Sequence, residues 1–258
     1  MKTQKKLFQH ERINKILNYI RLKGRGTVDE LAKKFTVTKA TIRRDLTFIE
    51  NNYNLKRTHG GIILHINDES EFQFNKKYKQ NYELKKAIAK AAANFVNESM
   101  SVAIDGGSTN FYVAQEILNI NNLTIITNSL PIIYSARNSN AEVITLGGTL
   151  RKKSLAMVGG MTVENIKSIK TNIGFLGTTG IDLEGNLFSP SMDEAVTKKS
   201  FMQSIDFKVV VFDSTKIGIT SLSKFGNIAE FDLVLTNDNI TPSQKNLLNN
   251  ITKKIKYV

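Results

Sequence analysis

Cysteine is absent from the 258-residue chain. Its absence removes disulfides, thiolate zinc sites, iron–sulfur clusters and cysteine nucleophiles together. It also fits a reducing compartment. Histidine is scarce and unevenly placed: the three copies are His10, His59 and His65. Beyond residue 65, any catalysis would have to use Asp, Glu, Lys, Ser, Thr or Tyr. No apolar run approaches the ~20 residues that span a bilayer. The basic start Met1–Lys6 runs through Leu7-Phe8 straight into Gln9-His10-Glu11-Arg12, without the apolar stretch of a signal peptide. These absences predict a soluble, cytoplasmic protein with no membrane partner.

With 41% hydrophobic and 23% charged residues, the composition is that of an ordinary globular protein. The length allows one large domain or two smaller ones. Acidic residues are few in one region. Residues 1–65 hold 15 Lys/Arg against 5 Asp/Glu, so this quarter of the chain carries +10 of the total +13. A compact basic module points to a polyanionic partner.

The local pattern narrows that partner to DNA. Ile13, Ile16, Leu17 and Ile20 repeat at helical spacing, and Gly24 and Gly26 end the helix. Thr27 and Glu30 form a capping box for a second helix with Val28, Leu31, Ala32 and Phe35 on its apolar face. Thr38 caps a third helix that buries Ile42, Leu46 and Ile49. Two helices joined by the tight Thr36-Val37 turn make a helix-turn-helix. The opposite face of the third helix shows Ala40, Arg43, Arg44 and Thr47, with Thr41 at its edge, and Thr38 and Lys39 at the helix start are further candidates for DNA contact. Small residues let a helix sit deep in the major groove, and arginines reach phosphates or guanine edges. Leu55–Leu64 then reads as a hairpin around Gly60-Gly61. As a wing, it places Lys56, Arg57 and His59 along the phosphate backbone. No metal-ligand set surrounds His59, whose simpler role is to stabilise the turn.

The residues 36–46, Thr-Val-Thr-Lys-Ala-Thr-Ile-Arg-Arg-Asp-Leu, followed by Arg57-Thr58-His59-Gly60-Gly61, resemble the DNA-binding signature of DeoR-family bacterial transcription regulators. Tyr53 stands where that family usually has glycine.

A polar linker over 66–80 separates this module, residues 1–65, from a larger domain, 81–258. Phe72 and Phe74 provide docking points within the linker. Leu84, Ile88, Ala91, Ala92 and Phe95 predict a helix. β-type runs at 101–104, 123–127, 142–146, 173–176, 208–212, 232–236 and 254–258 then alternate with helical stretches. That alternation predicts a mainly parallel α/β sheet. Polar or glycine-rich clusters follow five of the runs. They are Asp105-Gly106-Gly107-Ser108-Thr109-Asn110, Thr127-Asn128-Ser129, Gly147-Gly148-Thr149 with Arg151, Gly177 through Asp182, and Asp213 through Lys216. In open α/β sheets, ligands bind beyond the carboxyl ends of the strands. Gly106-Gly107 lets backbone approach an anion, and the helix N-terminus that follows favours phosphate. With Arg151 and Lys216 as cations, a phosphorylated ligand is expected.

This half also resembles the DeoR sensor domain, which shares a superfamily with ribose-5-phosphate isomerase and the CoA transferases. The matching motifs are Asp105-x-Gly107-Ser108-Thr109, Thr127-Asn128-Ser129, Gly147-Gly148, Phe175 through Asp182, Glu194 through Lys198, and Asp213-Ser214-x-Lys216. Ser99 replaces a glycine common before the first strand. The resemblance implies a sugar-phosphate effector held by Asp105, Gly107, Ser108, Thr109, Asn128, Ser129 and Lys216, with Arg151, Asp182, Glu194 and Lys198 beside them. It implies a repressor of a carbohydrate operon that has no catalytic residue, cofactor or metal. An expected dimer or tetramer follows from the few base pairs that one three-helix module reads. A competing reading is an isomerase- or deaminase-like enzyme with a DNA-binding module, using Asp105, Asp182, Glu194 and Lys216 on a sugar phosphate. A purely architectural DNA-binding protein would leave the large domain unexplained.

Overall fold

The computed structural model describes residues 9–52, 55–64 and 77–258. The chain divides into two compact units, Met1–Glu69 and Ser70–Val258. Phe72, Phe74 and Tyr53 lie outside the described residues. So do the side chain of Lys56 and most of the anticipated linker.

The first unit holds three helices, α1 (Gln9–Lys23), α2 (Val28–Phe35) and α3 (Lys39–Asn52), and a small antiparallel sheet. Its core is the anticipated set: Ile16, Ile20, Leu31, Ile42, Leu46 and Ile49 are all fully buried. The Thr27–Glu30 capping box is formed, with Glu30 N donating to Thr27 Oγ1 at 3.2 Å and Thr27 N to the Glu30 carboxylate at 3.1 Å. Thr27→Ala should therefore destabilise this unit by about 0.5–2 kcal/mol, read from its unfolding transition. An unchanged transition would show that the cap contributes nothing. Thr38 Oγ1 accepts from Thr41 N at 3.2 Å, capping α3 as expected. Asp45 is not a surface residue of the signature. It is 1% exposed, and Arg12 donates to it from Nε at 2.6 Å and from Nη2 at 3.1 Å. The pair ties α1 to α3.

The wing differs from its sequence reading in one respect. The hairpin strands are β2 (Leu55–Thr58) and β3 (Gly61–Leu64), and the turn is His59-Gly60. Gly61 is a strand residue, not half of the turn. A third strand, β1 (Arg25–Thr27), pairs with β3, and Thr27 lies opposite Gly61. A Cβ at Gly61 would run into the carbonyl oxygen of Gly26, so the close approach of β1 requires glycine there.

The second unit is a doubly wound sheet. Its strands are β4 (Ser101–Ile104), β5 (Thr124–Thr127), β6 (Glu142–Thr145), β9 (Thr171–Gly177), β12 (Ile205–Val211), β14 (Leu233–Thr236) and β15 (Ile255–Tyr257). All pair parallel, in the order β15-β14-β12-β9-β4-β5-β6. Each of the seven anticipated runs is one of these strands. Continuous apolar runs suit strands buried on both faces, and alternate residues feed two cores. Val102, Ile104, Phe175, Val209 and Val211 enter one core, with Ile88 and Ala92 of α4 (Tyr82–Ala93) and Val113 and Ile117 of α5 (Ser108–Ile117). Ala103, Leu176 and Val210 enter the other, with Ile166 of α7 (Gly160–Lys167), Phe201 of α8 (Met192–Ser204) and Leu248 of α9 (Pro242–Ile251). The helix α6 (Leu130–Ser135) follows β5.

Two antiparallel additions had no sequence signal strong enough to announce them. They are the hairpin β7 (Thr149–Arg151) with β8 (Ala156–Val158), and a sheet of β10 (Gly180–Ile181), β11 (Asn186–Ser189) and β13 (Ser223–Asn227). Ser99 takes a φ of 62°, in the left-handed region, which is the conformation that favours glycine. Among the described residues, no helix is long and apolar enough to cross a membrane.

Candidate functional site

Two surfaces carry the chemistry, one on each unit. On the first, burial of Ile42, Leu46 and Ile49 forces Ala40, Arg43, Arg44 and Thr47 outward, and all four are exposed. Arg43 and Arg44 have no ion-pair partner among the described residues. Other anticipated contacts are partly engaged within the unit. Lys39 pairs with Asp29 at 2.8 Å, with both side chains exposed. Thr38 and Thr41 share a hydrogen bond of 2.9 Å between hydroxyls. Arg57 donates to Thr47 Oγ1 at 2.9 Å, and its backbone N–H donates to Glu50 at 3.0 Å, locking the wing onto α3. His59 sits exposed at the hairpin tip. Phe48, 45% exposed and one turn beyond Arg44, adds a large apolar ring that the sequence pattern did not single out.

On the second unit, β4 leads through α5 to β5 on one side, while β9 lies on the other. The carboxyl ends of β4 and β9 thus form the topological switch point of the sheet, where open α/β sheets place their ligands. A cavity of about 150 Å³ opens there. That is roughly tenfold the space one water needs, and it suits a small metabolite. Of the anticipated ligand residues, it is lined by Asp105, Gly106, Gly107, Ser108, Thr109, Asn110, Asn128, Arg151, Glu194, Lys198 and Lys216.

Asp182 and Ser129 do not line it. Asp182 instead closes a turn, accepting from Glu184 N at 3.1 Å, Asn186 N at 2.8 Å and Asn186 Nδ2 at 2.9 Å. Burial pushes its carboxyl pKa up, but the hydrogen bonds from Asn186 and Glu184 together outweigh that and hold it below the usual range. A Gly-Ile-Asp run at a strand end looks the same in sequence whether its carboxylate faces a ligand or its own turn. Ser129 is 1% exposed, at an isolated bridge to Ala156.

The lining residues divide into braces and free groups. Asp105, 2% exposed, receives Lys198 Nζ, Asn110 Nδ2 and Gly177 N. Burial pushes its carboxyl pKa up, against the pull of the Lys198 ammonium. Lys198 also donates to Gly177 O at 2.9 Å, joining the ends of β4 and β9. Asn128 accepts from Gly106 N at 3.0 Å and donates to Met157 O at 2.8 Å, which fixes the glycine loop against β8. Arg151 pairs with Glu194 at 3.3 Å. Gly107 has a φ of 151°, open to glycine but not to other residues, and it precedes the first turn of α5. That turn offers backbone N–H groups and the hydroxyls of Ser108 and Thr109. Lys216, half-buried on the turn capped by Asp213, has no ion-pair partner among the described residues.

Sequence reasoning missed part of the lining: Lys77, Tyr78, Gln80, Asn81 and Lys85 come from the start of the second unit, in and just beyond the stretch assigned to the linker. Lys85 is 3% exposed, and desolvation lowers its pKa to about 8, with Asp213 opposing and Lys216 and Lys77 adding to the effect. Counted by charge, the lining carries Lys77, Lys85, Arg151, Lys153, Lys198 and Lys216 against Asp105, Glu194 and Asp213. The excess of cations favours an anionic occupant.

Residues 12–67 match the DeoR-like helix-turn-helix domain, and residues 80–238 match the DeoR C terminal sensor domain. The chain belongs to the DeoR family. It is 31% identical to the HTH-type transcriptional regulator YulB of Bacillus subtilis over 95% of either chain. It is 30% identical to the glycerol-3-phosphate regulon repressor of Escherichia coli, over 88% of this chain and 90% of that one. Among solved structures, ribose 5-phosphate isomerase from Plasmodium falciparum is similar at a TM-score of 0.39 and 24% identity, over 52% of either chain. A likeness that partial assigns nothing to this chain. As a DeoR-family member, the protein is a DNA-binding transcriptional regulator with a sensor domain.

Proposed function

We propose that this DeoR-family regulator is a cytoplasmic repressor of a carbohydrate operon whose grip on its operator is modulated by a phosphorylated sugar or polyol. The observation that carries this reading is the cavity at the β4–β9 switch point. It combines a glycine loop, a helix N-terminus and the uncommitted Lys216 with an excess of cations. The Escherichia coli relative, a repressor named for a glycerol-3-phosphate regulon, supports the same ligand chemistry. In this reading the phosphate lies against the first turn of α5 and Lys216, and the hydroxyls meet Thr109, Asn128 and Glu194. The engagement of Asp105 by Lys198, and of Glu194 by Arg151, argues against a free general base and hence against turnover. Self-association through the second unit, on an operator with repeated half-sites, completes the proposal.

The test is an operator titration in the presence of a sugar-phosphate panel, with thermal shift alongside. A phosphorylated sugar should change operator affinity and raise the melting temperature, while its unphosphorylated form has little effect. Lys216→Ala should weaken that ligand by about 1.5–3 kcal/mol and leave ligand-free operator binding intact. If no sugar phosphate alters binding or melting, the effector assignment fails. Conversion of any panel member would restore the enzymatic alternative.

A further inference from the structure

The wall of the cavity contributed by Lys77, Tyr78, Gln80 and Asn81 has a particular place in the chain. The backbone coming from the first unit, whose last strand ends at Leu64, reaches α4 through this segment. Three ties bind the segment to groups that flank the ligand space. Lys85 Nζ donates to the carbonyls of Lys77 and Gln80. The Asn81 amide donates to Asp213 Oδ1 at 3.2 Å and Thr215 Oγ1 at 3.3 Å. The Tyr78 ring meets Phe111 edge-on at 4.8 Å, and its carbonyl accepts from the Tyr112 hydroxyl at 3.0 Å.

These ties reach both anion-binding elements. Phe111 and Tyr112 belong to α5, whose first turn follows the glycine loop. Asp213 caps the short turn that carries Lys216. Lys77, Lys85 and Lys216 face the same space. Lys216 and Lys77 repel the Lys85 ammonium, and Lys216 repels that of Lys77, against the larger attractions of Asp213 and Glu194; an anion among the three lysines relieves that like-charge repulsion.

We propose that Lys77–Asn81 is itself part of the effector site, with Lys77 joining Lys216 on the anion, so that the occupant is read directly by the stretch of backbone that leads to the DNA-reading unit. This rests on the cavity being the effector site. A ligand shifts an equilibrium only by its differential affinity for the two states. Contact with this segment supplies that difference on the described stretch of the second unit that lies nearest in sequence to the DNA-reading unit, and Asn81 is the positioning residue that holds the segment to the Lys216 turn.

Hydrogen–deuterium exchange on the full chain tests the proposal, using glycerol 3-phosphate, glucose 6-phosphate, ribose 5-phosphate and inorganic phosphate as ligands. Amides of residues 77–85 should exchange more slowly together with those of 106–111. Protection of 106–111 alone would overturn the inference and leave the effector cavity standing. Protection at neither place with any of the anions would overturn both. Asn81→Gly keeps the left-handed backbone, φ 55°, available while removing the amide. It should still show ligand protection at 106–111, but the ligand-induced change in operator affinity should shrink roughly fivefold or more, at the lower end of ordinary coupling. A variant that responds like the wild type would remove Asn81 from the read-out.

Discussion

Replacing Arg43 and Arg44 together with alanine should remove specific operator binding while leaving the fold intact. Both side chains are exposed on α3 without ion-pair partners among the described residues, while Ile42, Leu46 and Ile49 on the same helix are fully buried. An arginine that reads a guanine edge contributes about 1–3 kcal/mol of discrimination, so two together should weaken specific binding by roughly 2–6 kcal/mol. Exposed substitutions of this kind change stability by only about 0.5 kcal/mol. Loss of binding therefore cannot be attributed to unfolding if the melting transition is unmoved. Fluorescence anisotropy with specific and scrambled duplexes at several salt concentrations measures both components. Specific affinity should fall toward the non-specific value. The salt slope should flatten by about one for each arginine that neutralises a phosphate. Unchanged specific affinity would exclude α3 as the recognition helix.

A second large effect is expected at the Asp105–Lys198 pair. Lys198→Met keeps the length of the aliphatic stem but leaves the Asp105 carboxylate, 2% exposed, without its cation. Removing one member of a buried pair generally destabilises by about 3–5 kcal/mol, because the remaining charge is uncompensated. For a unit of this size, 1 kcal/mol corresponds to about 2–4 °C. The sensor unit should melt roughly 6–20 °C lower, with the transition of the DNA-reading unit unaffected. Asp105→Asn combined with Lys198→Met removes both charges and should recover most of the loss. The coupling energy from the double-mutant cycle isolates the pair. Wild-type stability in Lys198→Met would mean that burial already holds the Asp105 carboxyl neutral, and the brace would then be a hydrogen bond instead of an ion pair. Either result bears on function, since Lys198 joins the ends of the two strands that frame the cavity.

The elements were legible in the sequence because each rests on near-neighbour chemistry. Three helices of the first unit follow from residues spaced three and four apart, and the capping box of α2 lies within four residues. Each parallel strand is a continuous apolar run bounded by polar or glycine-rich turns. Since ligand sites in such sheets lie beyond the strand ends, most of the cavity lining could also be named: the clusters after β4, β5 and β12 all reach it.

What the sequence left undecided depends on contacts between distant residues. The strand β1 is only Arg25-Gly26-Thr27, and it exists because β3 lies alongside it. Asp45 resembles a surface residue of the recognition helix until Arg12, 33 positions earlier, is found against it. Asp105 and Lys198 are 93 positions apart, and no local pattern distinguishes a carboxylate braced by a lysine from one held ready for a ligand. Asp182 shows the reverse case, a plausible ligand residue whose oxygens are taken by its own turn. The stretch before α4 reads as a polar linker, because nothing in Lys77–Asn81 alone says that Asp213, Thr215 and Lys85 will hold it. Periodicity and capping, which act within a turn or a strand, determined which elements form. Only the packed sheet, by bringing the ends of β4, β9 and β12 to one place, decided which polar side chains brace the site and which remain free to meet a ligand.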